Sequence, residues 1–300
     1  MKKKTYLIAL MAMALTLGSC SNNEDGIGGE TSKYITVSTS IGNMTRVATD
    51  ANGGQTFEEG DEISVYAWTG APTVAPETSE RVVNNAINKL TNGAWVATPQ
   101  MLWKNNRDKH YFIGVYPTAA ISDLSAGEYT FDVNKQTESD LLVAVNPDGL
   151  SYSADAQQTV PLTFTHVMAK LAVNLTYKNQ WGGIPTVEKV VVGNAAKEAT
   201  INYLTKVVTP STTAKEDFSL PEITENTKYV SVIIPQEEVK QLTIVIGGKN
   251  FVYDNGTPFK LESGKITTVN LEVGRDEIKL GDVKITDWED GSTFSGEAIN

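Results

Sequence analysis

Tyr34-Ile35-Thr36-Val37-Ser38-Thr39-Ser40-Ile41 is built almost wholly from β-branched, aromatic and hydroxyl residues, and it reads with a period of two. That is the signature of a half-buried β-strand. The same reading extends outward to 62–68, 111–116, 129–133 and 171–177, each bounded by Gly, Pro, Asn or Asp. In the second half, 241–246 and 250–253 flank Gly247-Gly248, and Asp254-Asn255-Gly256 leads into 257–261, which predicts two successive hairpins. Residues 265–273 alternate again. Val83, Ala86, Ile87 and Leu90 have helical spacing, but Asn84, Asn85 and Asn88 are poor helix-interior residues, so 83–90 is read as a strand.

Many short strands separated by turn signals predict an all-β chain of sandwich type. The 260-odd residues of strand pattern exceed one typical sandwich domain of roughly 100 residues, so two domains are expected. Val173-Asn174-Leu175 and Val269-Asn270-Leu271 lie near the ends of the two halves. A boundary near 179–183 gives an N-terminal domain over 33–180 and a C-terminal domain over 181–300.

Composition narrows function mostly by exclusion. The chain has 36 acidic and 25 basic residues, net −11, with no basic stripe, which argues against nucleic acid as a partner. A single cysteine forbids an internal disulfide, and His110 and His166 alone make no zinc constellation. No G-x-S-x-G elbow occurs, and Gly264-Lys265-Ile266 lacks the rest of a phosphate loop. Neighbouring acids such as Glu58-Glu59 and Glu237-Glu238 point to opposite faces on a strand and are solvated in a turn, which does not make a glycosidase pair. Neither an enzymatic activity nor a cofactor is expected.

The first residues read as an address. Lys2, Lys3 and Lys4 precede an apolar run over 6–17, too short for a permanent span but suited to export. The run ends in Leu17-Gly18-Ser19-Cys20, which resembles a bacterial lipobox. On that reading residues 1–19 are a lipoprotein signal peptide, Cys20 is lipidated, and 20–32 is a flexible spacer from an outer-membrane anchor. Several acyl chains on one cysteine hold stably where one holds marginally. The alternative is an ordinary signal with an incidental cysteine. Ser21-Asn22-Asn23-Glu24-Asp25 is similar to the acidic export tract of Bacteroidota surface lipoproteins.

Five stretches in order carry a more specific likeness: Phe57-Glu58-Glu59-Gly60-Asp61-Glu62-Ile63-Ser64-Val65-Tyr66; Leu102-Trp103; Tyr111-Phe112-Ile113-Gly114-Val115-Tyr116-Pro117; Asp140-Leu141-Leu142-Val143-Ala144; and Val160-Pro161-Leu162-Thr163-Phe164-Thr165-His166-Val167-Met168-Ala169-Lys170-Leu171. Ile285-Thr286-Asp287-Trp288-Glu289-Asp290-Gly291 follows. Together they resemble the fimbrillin family of Bacteroidota, the subunits of type V pili. The resemblance implies two tandem transthyretin-like β-sandwich domains. It also implies a lipid-anchored precursor cut after an arginine by a trypsin-like protease, loss of the first strand, and filling of the groove by a donor strand from another subunit in a homo- or heteropolymer. The surface fimbrium so formed would serve adhesion or biofilm formation.

Carried onto this chain, the cut falls between Arg46 and Val47, just after the 34–41 strand. The alternative is an incidental surface arginine. In the C-terminal segment Val283, Ile285, Phe294 and Ala298 offer donor-strand side chains; the alternative there is that 283–288 is simply the last intrachain strand. A rival reading is a surface lipoprotein that binds host or bacterial glycans by stacking them on exposed aromatics. Of Trp68, Trp95, Trp103, Trp181 and Trp288, the loop-like Trp181 is the candidate for that role. His166 is read as a structural histidine.

Overall fold

The computed structural model describes residues 33–42, 56–153, 158–254 and 256–288. The strands are β1 (Thr36–Ile41), β2 (Glu62–Thr69), β3 (Val83–Thr91), β4 (Ala94–Thr98), β5 (His110–Tyr116), β6 (Gly127–Thr130), β7 (Leu142–Leu150), β8 (Thr159–His166), β9 (Ala169–Tyr177), β10 (Val187–Ala196), β11 (Glu198–Asn202), β12 (Val207–Pro210), β13 (Lys215–Ser219), β14 (Glu222–Thr224), β15 (Lys228–Ile233), β16 (Gln241–Ile246), β17 (Lys249–Asp254), β18 (Lys265–Val273) and β19 (Ile278–Asp287). Among the described residues they form four sheets, ordered β1-β8-β7-β5-β2-β3-β4, β13-β10-β16-β17, β12-β11-β6 and β14-β15-β9-β18-β19. The protein is an all-β sandwich, and 83–90 is indeed strand.

The centre of the seven-stranded sheet, at β2 and β5, is buried on both faces, which alternation along a strand does not announce, whereas β8 nearer its edge keeps one exposed face. Along β2, Ile63, Val65 and Ala67 enter a core with Ile35, Val37, Met101, Trp103, Phe112, Val160, Leu162 and Phe164. Tyr66 and Trp68 of the same strand enter a second core that runs on through β9, β10, β16 and β18 to Trp288. A two-faced strand loses its polar side, as parallel-sheet strands do. The even residue Ser64 is fully buried and spends its hydroxyl on the backbone N–H of Ala119, at 3.0 Å.

Two expectations are corrected, the placement of the Val-Asn-Leu strands and the second hairpin. The two Val-Asn-Leu strands do not close separate halves: β9 and β18 are parallel neighbours, with Val173, Asn174 and Leu175 opposite Val269, Asn270 and Leu271. Their asparagines form a ladder, Asn174 Nδ2 donating to Asn270 Oδ1 at 2.8 Å and Asn270 Nδ2 to Asp282 Oδ1. Hydrogen bonding changes partners between β8 and β9, which lie in different sheets. In addition β6 of the first half pairs with β11 of the second. The hairpin on Gly247-Gly248 forms, both glycines having positive φ as its two-residue turn requires. The second hairpin does not: 257–261 forms no strand beside β17 and contributes only an isolated bridge from Leu261 to Gln236.

Gly114 in the middle of β5 explains its own motif. A Cβ there would lie 2.6 Å from Phe164 Cζ and 3.1 Å from Leu162 Cδ1, so the missing side chain is the seat of the Phe164 ring. Gly114→Ala should cost about 1–3 kcal/mol by overpacking, read from urea unfolding, and Phe164→Leu in the same chain should restore part of the loss.

His110 opens β5 fully buried, with Trp103 edge-on at 4.9 Å. Its Nδ1 donates to the Asp108 carbonyl at 3.1 Å and its Nε2 accepts the Lys104 N–H at 3.0 Å, an arrangement that fits the neutral ring. Burial pushes its pKa down, against smaller upward contributions from Asp108. A histidine depressed in the folded state is protonated more readily unfolded, so it withdraws stability as pH falls below about 6.5. Stability measured from pH 7 to pH 5 should fall, and His110→Gln should show a shallower fall.

Candidate functional site

The first strand lies at the edge of its sheet. Among the described residues β1 pairs with β8 alone, in parallel register from Thr36 opposite Thr159 to Ile41 opposite Phe164. Just before it, the chain is pinned by Ile35 N–H to the Met101 carbonyl at 3.0 Å and Trp103 N–H to the Lys33 carbonyl at 3.2 Å. Period two then sorts the side chains. Ile35 and Val37 are buried, Thr39 and Ile41 half-buried on the same face, and Thr36, Ser38 and Ser40 look outward. Outward hydroxyls meet those of β8, Thr36 with Thr159 at 3.3 Å and Ser40 with Thr163 at 3.2 Å.

The far side of β1 is a cleft rather than a ladder. Between β1 and β4 lies about 600 Å³ of open space bordered by Thr39, Ile41, Phe57, Leu90 and Trp95. It is bridged at one point, where Trp95 Nε1 donates to Thr39 Oγ1 at 3.0 Å. Phe57 plugs one end, making edge contacts with Trp95, Tyr116 and Phe164 at ring centroids 5.3, 5.4 and 5.1 Å. The Glu58-Glu59-Gly60-Asp61 motif fixes that plug. Glu59 accepts the Asn92 N–H at 2.7 Å in the β3–β4 turn, Gly60 N–H donates to the Leu90 carbonyl at 2.9 Å, and Asp61 accepts Glu58 N–H at 2.7 Å. Turn acids here are structural acceptors. Arg46, Val47 and Cys20 lie outside the described residues.

A second cluster joins three of the quoted motifs. His166, the last residue of β8, donates Nδ1–H to Asp140 Oδ1 at 2.7 Å. Its ring stacks on Trp288 at 4.0 Å and 8°. Lys170 Nζ lies 4.1 Å from the same indole centroid, which the stacked imidazole restricts to the opposite face. Trp288 is 2 % exposed and donates its backbone N–H to the Gly264 carbonyl at 3.0 Å, while its Nε1 is buried without a partner. The indole ties the end of β19 to the strand beside β1.

The remaining sequence candidates fall as follows. Val283 and Ile285 belong to β19, opposite Val269 and Thr267, each 40 % exposed at the edge of the sheet. Phe294 and Ala298 lie outside the described residues. Trp181 is half-buried rather than exposed: it ends a one-turn 3₁₀ helix (Asn179–Trp181), donates Nε1–H to the Val273 carbonyl at 3.0 Å, and meets Phe251 edge-on at 5.9 Å and the Arg275 guanidinium at 5.5 Å. Trp68, Trp103 and Trp288 are buried. Glu238 is paired with Lys215. Among the described residues no three His, Cys, Asp or Glu side chains are grouped to hold a metal.

Removing the Trp288 ring should be costly. Trp288→Ala should lose about 3 kcal/mol or more in chemical denaturation, and Trp288→Phe should lose less because it keeps a ring on His166.

No functionally curated protein matches the chain. Among solved structures, a candidate cell adhesion protein from Bacteroides uniformis superposes with a TM-score of 0.63 at 18% identity, covering 85% of this chain and 99% of its own. A second, from Bacteroides ovatus, gives 0.62 at 18% identity, covering 85% and 98%. These likenesses concern the fold. The sequence itself matches the profile of the fimbrillin-like family over residues 45–288, from the segment after β1 to the indole that closes β19. That family comprises structural and adhesive subunits, and the protein is not an enzyme. The chain belongs to the fimbrillin-like family.

Proposed function

We propose that this protein is a structural subunit of a type V-like fimbrium on the outer-membrane surface, serving adhesion or biofilm formation. It is exported as a lipoprotein anchored through Cys20, cut by a trypsin-like protease between Arg46 and Val47, and polymerised with other fimbrillin subunits by strand exchange. The observation that carries this reading is the placement of β1. With the residue before it, it contributes Ile35 and Val37 to a core, has a backbone ladder along one side only among the described residues, and leads directly into the segment that holds Arg46. A strand so placed can be removed without unravelling the six strands behind it. Its loss leaves unpaired β8 amides and carbonyls beside an apolar slot, which strand addition satisfies.

The glycan-binding reading draws no comparable support, since the Trp181 indole is tied to Val273 and flanked by Phe251 and Arg275. At the C-terminal end, β19 is an intrachain strand up to Asp287. A donor role for Val283 and Ile285 would require β19 to leave its sheet, whereas Phe294 and Ala298 follow it in the sequence.

Mass spectrometry of sheared filaments and of the outer-membrane fraction tests this reading. The filament form should begin at Val47 and the membrane form at a lipidated Cys20. Arg46→Ala should keep the protein in the membrane fraction and out of filaments. A filament form that still begins at Cys20 would overturn the proposed processing.

A further inference from the structure

Resting on the strand-exchange reading, we infer that the slot now filled by β1 selects its incoming strand by a hydroxyl group. The cognate donor, running parallel to β8 as β1 does, presents apolar-x-apolar-x-Thr/Ser-x-apolar and then glycine. The Thr/Ser hydroxyl accepts the Trp95 indole N–H. The donor is a strand of a different subunit.

Trp95 carries the argument. An indole nitrogen is a donor only, and it is satisfied by an acceptor or by nothing. Here the ring is held in place by β4 pairing, Trp95 opposite Leu90, and by the edge contact with Phe57, both independent of β1. Its N–H is aimed at the side chain of the third inward position of β1, Thr39 Oγ1, at 3.0 Å. The other inward positions ask for something different. Ile35 and Val37 are 1 % and 6 % exposed in the core that also holds Val160, Leu162 and Phe164, and Ile41 packs against that core. An incoming strand with valine at the Thr39 position matches the shape but removes the protein acceptor, leaving the half-buried indole N–H to water in the cleft.

The position after Ile41 is restricted on separate grounds. Gly42 N–H donates to the Phe164 carbonyl at 2.7 Å, so the ladder continues through it. A Cβ there would lie 2.9 Å from Thr163 Cγ2, closer than side-chain carbons pack. The outward hydroxyls of Thr36 and Ser40 meet exposed threonines and discriminate little.

This chain's own tail does not answer the pattern. Val283 and Ile285 are engaged in β19. Beyond Trp288, one face of a strand would carry Phe294, Gly296 and Ala298, and the other Thr293, Ser295, Glu297 and Ile299. Neither gives two apolar residues, a hydroxyl and a further apolar residue in either direction. The slot is therefore matched to a strand from a different subunit.

The test uses the full chain cut after Arg46 by limited trypsin digestion, the cut verified by mass and the β1 fragment removed in mild denaturant. Fluorescein-labelled Ile-Thr-Val-Ser-Thr-Ser-Ile-Gly is compared with its Thr39→Val and Thr39→Ser versions by anisotropy. The Thr39→Val peptide should bind about 3- to 10-fold more weakly, the Thr39→Ser peptide should bind like the parent, and Trp95→Phe protein should bind all three alike. Equal binding of the valine and threonine peptides to wild-type protein, or discrimination that survives in Trp95→Phe, overturns the hydroxyl selection and leaves strand exchange standing. If no peptide enters the cut protein, exchange fails as well, and the selection with it.

Discussion

A β-strand that belongs to a core on its side chains but to a sheet on only one edge is the constraint on which this structure turns. β1 hydrogen-bonds to β8 and faces a cleft on its other side, where β4 approaches but forms no ladder. Backbone groups in a buried sheet need partners, and apolar side chains need cover. β1 supplies both to β8 and to the core around Phe164. Because the supply is confined to one short segment, the same chemistry can be met by another segment of matching pattern. On the proposed strand exchange, folding of the subunit and assembly of subunits would draw on a single set of contacts.

The recurring motifs make sense as supports for that slot. Phe164 forms its floor, and Gly114 on the neighbouring part of the sheet gives the ring its seat. Phe57 closes one end, held by the Glu59, Gly60 and Asp61 contacts to the β3–β4 turn. Two residues beyond Phe164, His166 passes the order of β8 to Asp140 and Trp288. The β8 register that β1 reads is thus fixed from three directions by groups that remain when β1 is absent. Pre-organised acceptors of a strand bind it with less ordering cost than a collapsed groove would.

Stacking of Trp288 between an imidazole and an ammonium group has a further mechanical meaning. It joins the residue that follows β19 to the end of β8, so the last described residue and the strand that receives β1 share one small cluster. The orphaned indole N–H within it marks a site where ring packing, not hydrogen bonding, sets the geometry.

Local pattern was enough for the strands themselves. Period-two runs located β1, β2, β5, β9, β16, β17 and β18, and the asparagines of 83–90 correctly weighed against a helix, because side-chain alternation and turn chemistry act over a few residues. Quoted motifs were also enough to indicate the family. Partnership was not legible, since pairing is decided by which apolar faces meet across the whole chain. Nothing local tells Val173-Asn174-Leu175 that its neighbour is Val269-Asn270-Leu271, nor β6 that it will pair with β11. For the same reason 257–261 looks like a hairpin arm yet forms only a bridge. His166 could be recognised as structural, but its partners Asp140 and Trp288 stand 26 and 122 positions away in the chain. The sequence by itself determined secondary structure, class and family through short-range periodicity and ordered motifs. Only tertiary structure decided that β1 is a one-sided strand, that Trp95 points its single donor at Thr39, and that the two halves share a core, because each depends on contacts between residues far apart along the backbone.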